Sequence, residues 1–308
     1  MFRTAAFASA LLVAAGPVTA QGLKWDLQVE KQIATAKKTR QPIMFYIVGR
    51  SGDRENSIET AQRASFRDGR VKAVGQQYVR VQLSRSRYRD MLKSWHLPPR
   101  TNMEIIFTTP EGELIDRLAP SGIADADSFT QKMVLVFRNY RNRLFDGELK
   151  PVLEGEDSKP SDVRLALKLI DDFRIMSADK TLVQMLERKK LSARTRPTIY
   201  GILATLSTNT AADALFEASA KDKKAEVALG KSTPAAAEFL LKYVGGEDEA
   251  KHLRAYKAVT KICKIKKVKP ERFWKGTIER MRKEEVERVR GLVRKTAKRW
   301  RARYEEYR

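Results

Sequence analysis

In 308 residues the chain carries one cysteine and two histidines, so nucleophilic and metal chemistry have little to draw on. His96 falls just before Pro98 and Pro99 at the end of an expected helix, and His252 sits in a charged helical stretch. No Cys/His spacing makes a zinc site. There is no Gly-rich phosphate loop for a dinucleotide and no Gly-x-Ser-x-Gly elbow. A Ser/His/Asp set would have to assemble in space around His96. Cys263 lies in the stretch 259–265 of an expected helix, where a cysteine reads as core packing. One cysteine makes no internal bridge, which leaves a disulfide to another molecule as the alternative. No cofactor and no metal is implied.

Two further constellations suit binding rather than reaction. Arg50, Ser51, Gly52, Asp53, Arg54, Glu55 and Asn56 form a polar loop above an expected helix start, where backbone N–H groups favour anions. With Asn102, Asp53 and Arg54 could line a ligand pocket; the plainer reading is a solvated turn. The second constellation is basic. The chain has a formal charge of +23, and residues 250–308 hold 22 Lys/Arg against 7 Asp/Glu. Such a balance attracts anionic partners. Within this segment Val286, Val289, Val293, Ala297, Trp300, Tyr304 and Tyr307 share one helical face. Arg288, Arg290, Arg294, Lys295, Lys298, Arg299, Arg301 and Arg303 cover much of the rest. A basic amphipathic helix can lie on anionic lipid or hold an acidic polymer. The apolar stripe reads first as a face packed on preceding helices.

Trp25, Val29, Ile33 and Ala36 recur at helical spacing and predict a first helix. Residues 43–48 are a continuous apolar run ended by Gly49, the pattern of a buried central strand. Ile58, Ala61 and Phe66 suggest a second helix, and Asp68 caps a short third one through Val71 and Val74. Val79, Val81 and Leu83 alternate along a strand. Tyr88, Met91, Leu92 and Trp95 mark another helix, stopped by the two prolines. Residues 103–108 and 113–118 form a hairpin around Pro110, Glu111 and Gly112. Phe129, Met133, Val136, Phe137, Tyr140 and Leu144 then line one helix face. This order predicts a mixed sheet with helices on both faces.

Residues 25–145, with Arg40-Gln41-Pro42-Ile43-Met44-Phe45-Tyr46-Ile47-Val48-Gly49 and the later Ile105-Ile106-Phe107-Thr108-Thr109-Pro110-Glu111-Gly112, resemble the thioredoxin-like family in its exported variants. The resemblance implies a Cys-x-x-Cys pair in the turn after the first strand, whose low-pKa thiolate does the redox work. Gly52 and Glu55 stand at those two positions, with Asp53 and Arg54 between them. The family's proline, usually cis, before its third strand falls at Met103. The resemblance therefore implies a retained fold without dithiol chemistry, and no catalytic residue carries over.

Residues 147–160, with Gly147, Pro151, Gly155 and Pro160 among acidic residues, read as a linker. The chain from 161 onward reads as helix throughout. Leu165, Leu169, Ile170 and Phe173 form one helix face, and Ile199, Ile202, Leu203 and Leu206 another. Asp179, Thr195, Asn209, Asp213 and Ser232 are placed to cap helices or open their first turns. Residues 203–216 resemble the turn and second helix of a HEAT-type repeat, although no fixed period is visible. A compact bundle is the alternative.

At the other end, Arg3, the apolar run 5–15, Gly16-Pro17 and Val18-Thr19-Ala20 make the pattern of a secretory signal peptide cleaved after Ala20. The apolar run is shorter than the about 18 residues needed to span a bilayer. The expected plan is a signal peptide over 1–20, an α/β thioredoxin-like domain over 21–146, a linker over 147–160, an all-α HEAT-like or bundle domain over 161–248 and a basic helical extension over 249–308. The expected location is extracytoplasmic, periplasmic or secreted. That argues against genomic nucleic acid and for a protein partner or an anionic envelope polymer. The expected role is binding, as a redox-inactive scaffold. The alternatives are a thioredoxin-fold enzyme using other residues, or an anionic-polymer or membrane-surface binder working through the tail.

Overall fold

The structure, a computed structural model, describes residues 22–48, 57–98, 103–188 and 191–304. The expected export segment and Tyr307 lie outside them. The chain divides into two compact units between Met133 and Val134, inside one helix.

The first unit is built on the apolar run that follows α1 (Val29–Thr39). This run is β1 (Ile43–Val48), buried from Ile43 to Ile47. Next come α2 (Ser57–Ser65), α3 (Gly69–Gly75), β2 (Val79–Ser84) and α4 (Arg89–Ser94). β3 (Ile105–Thr108), β4 (Leu114–Leu118), α5 (Pro120–Ala124) and α6 (Ala126–Leu144) follow. β1 pairs parallel with β2, Ile43 opposite Val79, and antiparallel with β3, Ile43 opposite Thr108. β4 pairs antiparallel with β3, so the order is β2-β1-β3-β4. Asp26 adds one parallel bridge to Val81.

Alternation along the strands sorts the core into two faces. Ile43, Phe45, Ile47, Val79, Val81 and Leu83 pack with Val29 and Ala36 of α1 and with Leu92 and Trp95 at α4. On the other side Tyr46 meets Phe66 at 5.3 Å between ring centroids, Phe66 meets Phe129 at 6.0 Å, and Tyr78 meets Phe107 at 5.5 Å. These spacings suit edge-to-face and tilted aromatic packing. The first unit is thus the expected mixed α/β layer. The hairpin turns where Gly112 has a φ of +97°, a conformation that only glycine enters without strain. Its carbonyl accepts a bond from the Trp95 indole at 2.8 Å, which ties the turn to α4. α5 was not expected. Pro120 opens it, at a position where the missing N–H has no partner to lose.

Among the described residues, every regular element of the second unit is a helix. Residues 147–160, expected as a linker, stay helical as far as Glu154. A π turn covers Phe145–Leu149 and α7 covers Lys150–Glu154. Pro151 falls in the first turn of α7, where it is tolerated. The break is confined to residues 155–159. Beyond it come α8 (Pro160–Phe173), α9 (Asp179–Glu187), α10 (Thr195–Leu206), α11 (Asn209–Ala218), α12 (Lys223–Leu229), α13 (Pro234–Leu240), α14 (Glu249–Ile262), α15 (Glu271–Gly276) and α16 (Glu279–Tyr304).

Packing arranges them in two rows. α9, α11, α13 and α16 pack in succession, as do α8, α10, α12 and α14, and α9–α10, α11–α12 and α13–α14 pack as pairs. Turns are fixed by caps: Thr208 accepts from the Ala211 N–H at 3.1 Å, one residue before the expected Asn209, and Asp248 accepts from Lys251 at 2.9 Å. Asp213, read as a cap or first-turn residue, lies within α11 and accepts from the Tyr243 hydroxyl at 2.6 Å. Val286, Val289, Val293 and Ala297 of α16 are buried and Trp300 is half-buried, so the stripe is a packed face. The basic segment, as far as it is described, belongs to the same compact unit as the helices before it.

Candidate functional site

The polar loop after β1 and the residues before β3 were the first candidate. Arg50, Gly52, Asp53, Arg54, Glu55 and Asn102 all lie outside the described residues. The described groups that flank them are structural. Met103, with a φ of +57°, donates its N–H to the Ile47 carbonyl at 2.8 Å, and Ile47 donates to Glu104 at 2.9 Å. Gln62 is wholly buried. Its amide nitrogen donates to the carbonyls of Met103 and Pro120, both at 3.0 Å, and its oxygen accepts from the Tyr46 hydroxyl at 3.0 Å. Burial first, and Glu59 second, push the Tyr46 phenol up to about 12, so it stays a neutral donor. Burial also raises the Glu104 carboxyl, against the pull of Arg117.

This network corrects the expected inward face of α2. Phe66 is buried as expected, but Ile58 is exposed, and Gln62 and Ser65 turn inward. A glutamine supplies two donors and an acceptor at one point, which the two carbonyls and the phenol require. No apolar side chain could meet them.

Cys263 ends α14 in the second unit and is partly buried. Burial, with a smaller contribution from Glu238, pushes its thiol up to about 12. The thiolate is the nucleophile, so burial disfavours the reactive form of this cysteine at neutral pH. Alkylation by iodoacetamide near about pH 8 should be slow in the native protein and fast after unfolding in denaturant. A native rate equal to that of a free thiol would contradict this placement.

His252 is buried in α14. Its Nδ1 accepts the N–H of Gly245 at 2.7 Å, and its ring meets Trp274 edge-on at 4.4 Å. Burial lowers its pKa from the ordinary 6.5, partly opposed by Glu249. Below that value the unfolded chain takes up a proton that the fold refuses. Stability present at neutral pH is therefore lost as pH falls from 6.5 toward the lowered folded value. A melting series across this window should show the loss. His252→Gln, which keeps an acceptor for Gly245 but cannot titrate, should flatten it, and an unchanged slope would refute the assignment.

Beside this histidine, the Tyr256 hydroxyl donates to Glu285 at 2.7 Å and accepts the Lys269 N–H at 2.8 Å. Arg288 donates to both oxygens of Glu285 at 2.7 Å. Burial opposes ionisation of Glu285, but the bonds from Arg288 and Tyr256 prevail and hold its carboxyl below the usual range. One sign of this is legible in the residues alone: Glu285 adjoins Val286 and shares the side of Val289, a polar position at the margin of an apolar stripe. The partners, on other elements, left none.

The basic candidates separate. Arg301 is paired with Glu238. It lines an open cavity of about 530 Å³ with Met176, Ser207, Thr208, Glu238 and Phe239. The hydroxyls there are already engaged: Thr208 donates to Asp179 at 2.7 Å and Ser207 accepts from the Thr233 N–H at 2.9 Å. Lys298 and Arg299 are exposed and make no ion pair with a described residue; Arg303 is exposed too. Among the described residues no cluster of His, Cys, Asp and Glu is fit to hold a metal, and no helix is long and apolar enough to cross a membrane. No family model, no curated protein and no solved structure matches the chain.

Proposed function

We propose that this is an exported, redox-inactive thioredoxin-like protein that works by binding, as an adaptor or scaffold whose second unit is a HEAT-like helical stack. The strand order supports the first part: two parallel strands, then an antiparallel hairpin, with Asp26 bridging to β2 where a further strand would lie. The two rows of paired helices support the second, since stacked helical hairpins offer long surfaces for partners. Export rests on the pattern of residues 1–20. One observation carries the absence of redox work. The chain's single cysteine lies on a helix of the second unit with its thiol pushed up to about 12, while Gly52 and Glu55 occupy the family's cysteine positions.

A binding role of this kind makes complexes that owe nothing to sulfur chemistry. A partner complex isolated from the extracytoplasmic fraction should survive dithiothreitol and should form equally with Cys263→Ser. A complex released by dithiothreitol, or lost in that variant, would mean a mixed disulfide and would overturn the reading.

A further inference from the structure

The tail's charge is not spread evenly once its partners are known. Lys251 pairs with Glu217, Lys257 and Lys275 with Glu271, Arg280 with Glu284, Lys283 with Glu279, Arg288 with Glu285 and Arg290 with Glu287. Past Glu287 the described part of α16 has no acidic residue. Arg294, Lys295, Lys298 and Arg299 are exposed and form no ion pair with a described residue. Their spacing makes two like-charge i,i+4 pairs, 294–298 and 295–299, each with side chains about 6 Å apart. Like charges so placed weaken a helix. No carboxylate among the described residues pairs with these four cations, so an external anion is the natural complement.

One margin of the exposed surface of α16 is also apolar in places. Met281 is 47% exposed and Leu292 37% exposed. Eleven residues separate them, about three turns, which puts them on one side of α16. Lys295 and Arg299 follow Leu292 at three and seven residues, continuing that side. The packed stripe of Val286, Val289, Val293 and Ala297 borders this side, and Lys298 and Arg294 lie farther round the exposed surface.

We infer that this outer face of α16 is a docking surface for an anionic lipid bilayer. A soluble polyanion would be served by the cations alone. A bilayer also gives Met281 and Leu292 a place to go, below headgroups held by long basic side chains. The convex side of a single helix suits a plane better than it suits a strand that needs a groove. The inference goes beyond the adaptor reading and stands without it.

The test is co-sedimentation of the full-length mature protein with phosphatidylglycerol and with phosphatidylcholine vesicles, and with soluble polyphosphate as competitor. Binding to phosphatidylglycerol alone, weakening steeply with salt, is expected. Arg294→Gln/Lys295→Gln/Lys298→Gln/Arg299→Gln should lose roughly several-hundred-fold in affinity, since each cation near an anionic leaflet contributes about fivefold. Met281→Ser/Leu292→Ser should weaken vesicle binding and leave any polyphosphate binding unchanged. Helicity by circular dichroism checks that both variants fold, and the first should fold at least as well because repulsion is removed. No binding to phosphatidylglycerol, or binding that survives the fourfold change, would overturn the inference. So would an apolar variant that binds vesicles normally, which would make the partner a soluble polyanion.

Discussion

Gln62→Leu is expected to destabilise the sheet unit by about 3 kcal/mol, because it strands three buried polar groups at once. The carbonyls of Met103 and Pro120 lose their donor and the Tyr46 hydroxyl loses its acceptor. Leucine fills much of the same volume, so little of the loss comes from a cavity. A small domain has only about 5–15 kcal/mol to lose, so the effect is large. Urea unfolding should be followed by a probe local to this unit, since two units need not melt together. Gln62→Glu offers a second reading. It keeps an acceptor for Tyr46 but turns an oxygen toward two carbonyls, so it should be nearly as damaging. A loss below about 1 kcal/mol for the leucine variant would mean that the three bonds are not holding α2 to β3 and α5.

Trp274→Ala should cost about 4 kcal/mol, in the range for emptying a buried aromatic site. Trp274 is almost wholly buried, and its ring touches His252 at 4.4 Å and Tyr256 at 4.9 Å between centroids. It is the one buried residue that α15 contributes. Losing it should free α15 first and then expose the Tyr256–Glu285–Arg288 bonds to water. Hydrogen exchange should therefore rise in α14 and in the first turns of α16, with the sheet unit unaffected. Trp274→Phe should recover most of the stability. Equal damage from the phenylalanine variant would mean that the full indole volume, and not an aromatic ring alone, is needed there.

The sequence was most informative where structure is local. β1 was legible as a six-residue apolar run, the hairpin from Gly112, and the face of α16 from its spacing of valines. The α2 face was misread because Gln62 looks like a surface residue until the carbonyls of Met103 and Pro120 arrive from 41 and 58 residues away. The 147–160 stretch was misread because Gly147 and Pro151 break most helices, but here one falls in a π turn and the other at a helix start. The helical rows showed no period because α9, α11 and α13 begin at unequal steps, at 179, 209 and 234.

For the candidate site the pattern is similar. Composition alone argued against metal and thiol catalysis. It could not sort the basic tail, because the neutralising partner of a cation is a tertiary fact: Glu238 lies 63 residues from Arg301. Counting charge gave one broad patch from 264 to 303. Pairing removes part of it: among the described residues, Lys264, Lys266, Lys267 and Lys269 before α15 and Arg294, Lys295, Lys298 and Arg299 of α16 stay exposed without an ion pair.

The proposed thioredoxin-like unit is expected to carry out no thiol–disulfide chemistry. Insulin disulfide reduction, driven by dithiothreitol, tests it directly in the purified mature protein and in Cys263→Ser. Both should match the rate with dithiothreitol alone, because the first unit contains no cysteine. A wild-type rate above that background which is lost in Cys263→Ser would contradict the account, since it would make Cys263 a working redox thiol.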